Sequence, residues 1–192
     1  VTPGAMGALF LALKVLLNPG DEVIVNEPCW TNYIQQIRMC GGVPVSVKTD
    51  AQRGFDLDVS AVAETITSKT KAIILNSPCN PTGAVASAET LSQLAKLAQE
   101  RDLVVLADEV YKHILFDGRT YTGFATLPGM KERTLVIDSL SKTYAMTGWR
   151  LGYAAAPDLI LKQMLKIHQY AIMCAPTTSQ YAAVSALKNG DS

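Results

Sequence analysis

Residues 103–107, Leu-Val-Val-Leu-Ala, are apolar at every position and run directly into Asp108-Glu109. A strand with one wet face alternates apolar and polar residues, so a strand without alternation has to be covered on both faces. That coverage is typical of parallel sheets, whose crossover connections lay helices on either side. Residues 71–76 and 134–138 have the same character, and residues 22–26, 43–47 and 151–155 read as further short strands. Helical spacing fills the intervals. Residues 5–17 form a helix that Asn18-Pro19-Gly20-Asp21 ends, and residues 31–40 form one that Gly41-Gly42 breaks. Asp58 is placed to cap residues 59–66, and Ser87 starts a helix to Glu100 with Glu89 and Thr90 in its first turn. Residues 158–170 and 178–188 are also helical in pattern. The alternation predicts an α/β fold, a mostly parallel central sheet with helices on both faces in three layers, α/β/α.

The chain has 192 residues, enough for one domain with a substantial core. Hydrophobic residues make up 48% and charged ones 18%, which excludes a disordered chain. Lys+Arg 17 balances Asp+Glu 17, which argues against nucleic acid or a membrane surface as a partner drawn by bulk charge. One or two cations still suffice for a local anion site. Cys29, Cys40, Cys79 and Cys174 show no CxxC pairing and no metal-type spacing with His113 or His168, so they read as reduced, mostly buried thiols. No apolar run reaches the roughly 18 residues that span a bilayer. No signal peptide is visible, and the expected location is cytoplasmic. Val1-Thr2-Pro3-Gly4 and Gly190-Asp191-Ser192 both read as the interior of a longer chain.

In open α/β sheets, ligands bind beyond the carboxyl ends of the strands. Asn80, Asp108, Ser139 and Lys142 all fall just past predicted strands. Lys142 lies in Ser139-Leu140-Ser141-Lys142-Thr143, with Gly148-Trp149-Arg150 close behind. A primary amine can condense with an aldehyde, and burial among polar groups would help deprotonate it. Ser139 offers a hydroxyl donor and Arg150 a rigid fork of donors matched to phosphate oxygens. Gly4-Ala5-Met6 opens the first helix, where backbone N–H groups can meet an anion. A phosphorylated aldehyde cofactor, pyridoxal 5'-phosphate (PLP), satisfies all of these. Asp108 suits a protonated ring nitrogen, and Tyr111, one helical turn on, suits the phenolic oxygen. The turn-rich loop Asn76-Ser77-Pro78-Cys79-Asn80-Pro81-Thr82-Gly83 can present the Asn80 amide. Trp30 can stack on a flat ring, with Tyr33 a lesser candidate. Taken singly, most of these residues also have structural readings: a helix cap for Ser139, an ion pair for Arg150, core packing for Trp30 and Tyr111.

With Asn80-Pro81-Thr82-Gly83, Ala107-Asp108-Glu109-Val110-Tyr111, Ser139-Leu140-Ser141-Lys142 and Arg150 in this order, the chain resembles the class I/II aminotransferases, the aspartate aminotransferase-like PLP enzymes of fold type I. Pro19-Gly20-Asp21-Glu22-Val23 fits the same family, and the likeness runs from Gly4 to about Ala186. The resemblance implies that Lys142 forms the Schiff base with PLP and shuttles a proton, while Asp108 pairs with the pyridine nitrogen. It implies that Tyr111 and Asn80 bind the phenolic oxygen, with Asn80 also near the substrate carboxylate, and that Trp30 stacks on the ring. Ser139, Arg150 and the Gly4-Ala5-Met6 amides would hold the phosphate. The implied reaction moves an amino group between an amino acid and a 2-oxo acid, in a homodimer. Relatives are about twice as long. The expectation is therefore a cofactor-binding large domain, residues 1–192, without the N-terminal segment or the small domain that usually supplies the arginine for the substrate carboxylate. Other reactions on this fold remain open at this point: a C–S lyase, a decarboxylase, a cyclopropane-carboxylate synthase, or a sensor module of a transcription regulator.

Overall fold

The structure is a computed structural model, and it describes residues 1–190. Asp191 and Ser192, part of the chain end read above as the interior of a longer protein, lie outside the described residues. A six-stranded sheet runs in the order β2-β1-β3-β4-β5-β6. Its strands are β1 (Glu22–Glu27), β2 (Val43–Lys48), β3 (Thr70–Asn76), β4 (Val104–Asp108), β5 (Thr134–Ser139) and β6 (Gly152–Ala155). β1 to β5 are mutually parallel where they pair, and β6 runs antiparallel to β5. The helices are α1 (Gly4–Leu16), α2 (Asn32–Met39), α3 (Val59–Thr65), α4 (Ala88–Glu100), α5 (Leu140–Thr143), α6 (Asp158–Ala171) and α7 (Thr177–Asn189).

Strand residues face alternate sides, and both sides are dry. Val23, Val25, Ala72, Ile74, Leu106, Leu135 and Ile137 join α1, α2 and α6 in one core. Ile24, Ile73, Leu75, Val105 and Ala107 join α3 and α4 in the other. This two-sided burial is why β4 shows no alternation in its sequence. The caps follow local chemistry. Asp58 accepts hydrogen bonds from the Ser60 and Ala61 amides at the start of α3, and Ser87 accepts one from Thr90 at the start of α4. The structure adds α5, one turn directly after β5 and too short to show a helical period. From there the chain doubles back without crossing the sheet, which makes β6 antiparallel. Residue 2 joins this edge: Thr2 N donates to Gly152 O at 2.8 Å and Gly152 N to Thr2 O at 2.9 Å. No helix among the described residues is long and apolar enough to cross a membrane.

Candidate active site

The parallel strands β3, β4 and β5 end side by side, and their polar residues meet there. Asp108 closes β4, in register with Asn76 of β3 and Ile137 of β5. It is 4% exposed. Tyr33 donates its hydroxyl to Asp108 Oδ2 at 2.6 Å, and the Val110 amide donates to Oδ1 at 3.3 Å. Burial pushes the Asp108 carboxyl up from 3.8 to about 6, against the downward pull of those two hydrogen bonds. Burial and the neighbouring Asp108 carboxylate likewise hold the Tyr33 phenol well above its ordinary value. Asn76 ties the strand ends together: its Nδ2 donates to the Asp108 carbonyl at 3.1 Å, and its Oδ1 accepts from Asn80 N at 2.8 Å. Asn80 Nδ2 then reaches the Tyr111 hydroxyl at 3.5 Å. Lys142 Nζ stands 5.5 Å from the centroid of the Tyr111 ring. Trp30 packs edge-on to Tyr33, with ring centroids 5.5 Å apart at 90°.

The opposite end brings Arg150 to the start of α1. Arg150 adopts a left-handed conformation, φ 52 and ψ 52, and its Nη1 donates to the Thr147 carbonyl at 2.8 Å. Its guanidinium lies so close to the start of α1 that a Cβ on Gly4 would come within 2.5 Å of Nη2. Gly4, at φ +73, is therefore required for both its conformation and its lack of a side chain. Ser139 Oγ accepts from Ser141 N at 3.3 Å, so it caps α5 and still has its own proton to donate.

One cavity of about 220 Å³ is lined by Ala5, Met6, Trp30, Asn80, Asp108, Tyr111, Ser139, Lys142 and Arg150. Every residue singled out from the sequence except Gly4 faces it. The match of the chain to the family described as aminotransferase class I and II covers residues 1–192. The chain belongs to the class I and II aminotransferases. It is 52% identical over 190 residues to the YugH protein of Bacillus subtilis (strain 168), covering 99% of this chain and 49% of that protein. It is 43% identical to an aspartate aminotransferase of Pyrococcus abyssi (strain GE5 / Orsay), covering 98% and 49%. The solved aromatic aminotransferase from Pyrococcus horikoshii OT3 superposes with a TM-score of 0.95 at 42% identity, over 98% of this chain and 50% of that one. The chain thus spans about half the length of the curated relatives it matches.

Three details of this aminotransferase-family site differ from the sequence expectations. Lys142 is exposed and not buried, although Leu140 and Ser141 in the same turn are buried. The Gly4 amide is committed to Thr2 O at 2.8 Å, which leaves the Ala5 and Met6 amides at the open end of α1. Tyr33 turns its hydroxyl to Asp108, a partnership the sequence does not indicate. Ser141, Thr147 and Val110 also line the cavity and were not anticipated; the one available signal was the place of Ser141 between Ser139 and Lys142. All four cysteines are free, with Cys40 and Cys79 buried, Cys29 half-buried and Cys174 exposed.

Neither Lys142 nor Arg150 takes part in any of the ion pairs among the described residues. An amine and a guanidinium without acidic partners, sharing a cavity with a buried carboxylate that has no cation, are complementary to a ligand carrying an anion at one end and a protonated nitrogen at the other. PLP has that distribution, and the donor set fits it.

Proposed function

We propose that residues 1–192 are the PLP-binding large domain of an amino-acid aminotransferase that moves an amino group between an amino acid and a 2-oxo acid. The observation that carries this is the meeting of Lys142, Arg150 and buried Asp108 in one cavity, each without an oppositely charged partner. PLP, when bound, supplies the electron sink for chemistry at the substrate Cα. Asp108 holds a proton on the ring nitrogen, and a cation beside it returns its own carboxyl toward the ordinary range. Lys142 would supply the amine that holds the aldehyde and the base that holds a proton near the substrate Cα. Tyr111 and Asn80 would donate to the phenolic oxygen, Asn80 would also serve the substrate carboxylate, and Trp30 would pack on the ring. Ser139, Arg150 and the Ala5 and Met6 amides hold the phosphate, with Gly4 making room for Arg150. The whole protein is proposed to act in the cytoplasm as a homodimer.

PLP titration followed by visible absorbance tests the binding claim. The wild-type chain is expected to give a saturable band that is absent in folded Lys142→Ala. An identical band in that variant would remove Lys142 from its role. Product analysis on the full-length protein then separates aminotransfer, which yields a 2-oxo acid from the donor, from lyase or decarboxylase outcomes, which yield ammonia or carbon dioxide.

A further inference from the structure

Behind the cavity lies a charged cluster that contributes no atom to its lining. Asp138 and Tyr153 are directly opposed on β5 and β6, so their side chains share a face of the sheet. Tyr153 donates its hydroxyl to Asp138 Oδ2 at 2.6 Å, and Lys112 Nζ lies 2.7 Å from the same oxygen. Asp138 Oδ1 accepts from Ser139 N at 2.7 Å. Lys112 also stands 4.0 Å from Glu109 Oε2. Asp138 and Glu109 are buried, and the Lys112 side chain is 21% exposed. The Asp138 side chain raises the Lys112 ammonium against the opposing effect of burial, so the cation persists through the neutral range.

The connections of this cluster matter more than its charge. Lys112 sits on the turn that carries Asp108 and Tyr111, with its amide donating to Glu109 O at 3.0 Å. Asp138 holds the amide of Ser139, which caps the turn that carries Lys142. The pair therefore bridges two turns that β4 and β5 deliver separately. Resting on the PLP reading above, we propose that Lys112, Asp138 and Tyr153 are positioning residues that set the spacing between the Asp108–Tyr111 turn and the Ser139–Lys142 turn. A well-held charge pair suits this task, because removing one member leaves the other buried and uncompensated.

Lys112→Met keeps the aliphatic stem and removes the charge. In the apo chain, amide hydrogen exchange over residues 139–144 is expected to speed up roughly tenfold, with residues 88–100 of α4 unchanged. PLP affinity is expected to fall by a similar factor, and Lys112→Arg is expected to restore both. Unchanged exchange would overturn the proposal. So would faster exchange with unchanged PLP affinity, since the cluster would then be structural only. If Lys112→Met does not fold, Tyr153→Phe carries the same test with a smaller shift in the same direction. A wild-type chain that takes up no PLP would instead sink the cofactor reading, and the exchange data would still decide whether the two turns are coupled.

Discussion

Asp108 is almost wholly buried, and its stability effect has the reverse sign from that of a salt-bridged acid. Its folded-state pKa, about 6, lies above the ordinary 3.8. Between those values the folded chain keeps a proton that the unfolded chain has lost, so stability from this group falls as pH rises through the window. Above the window the full penalty applies, about 3 kcal/mol. Asp108→Asn is therefore expected to stabilise the apo chain by about 2 kcal/mol at pH 8 and by little near pH 4, read from urea midpoints, while weakening PLP binding. Equal effects at both pH values would contradict the burial argument. Tyr33→Phe removes the 2.6 Å hydrogen bond that pulls Asp108 downward. It is expected to cost about 1–3 kcal/mol of stability and to raise the Asp108 pKa further, measurable by carboxyl titration in NMR. The sequence showed that Asp108 needed a partner but not that Tyr33 was one. The two are 75 positions apart, and a bond of that span leaves no trace in local pattern. The exposure of Lys142 leaves no trace for a related reason: α5 is a single turn and has no period to read.

At the scale of elements, the strands were readable because two-sided burial removes alternation, and the longer helices because their caps are chemical. β3 appears where residues 71–76 predict it, starting one residue earlier, and β4 lies one residue further along than 103–107. Ser87 and Asp58 cap as their types suggest. The direction of β6 was not readable, because a four-residue strand carries the same composition in either orientation. Its consequence falls on Gly152. A Cβ there would lie 2.5 Å from both Gly4 C and Ala5 N and 2.9 Å from Asp138 O. The start of α1 can approach β6, and Arg150 can reach Gly4, only because residue 152 has no side chain. Gly152→Ala is expected to cost about 1–3 kcal/mol by overpacking and to weaken PLP binding by pushing α1 away from Arg150. Thermal unfolding with and without PLP checks both, and a variant that matches wild type in both would show that the approach is not needed.

At the scale of the whole molecule, what the sequence predicted best was convergence: three adjacent strand ends delivering Asn80, Asp108 and the Ser139–Lys142 turn to one cavity. What it could not supply was the separation between those turns, which depends on Lys112, Asp138 and Tyr153 behind them. The two basic residues that line the cavity, Lys142 and Arg150, are both assigned to the cofactor here. No basic residue among those lining it remains for a substrate carboxylate, and such a charged hydrogen bond is worth roughly 10- to 100-fold. The 192-residue chain is therefore expected to bind PLP yet transaminate aspartate or aromatic amino acids at least about 10- to 100-fold more slowly than its longer relatives, by coupled assay of 2-oxo acid release. Robust turnover would show that the carboxylate is held some other way. Every other proposed role depends on Lys142 being the amine that takes the aldehyde. This is tested most directly by adding PLP to the folded chain, reducing with borohydride and mapping the modified peptide. One label is expected, on Lys142; a label on any other residue, or none on folded protein, would rule out that role.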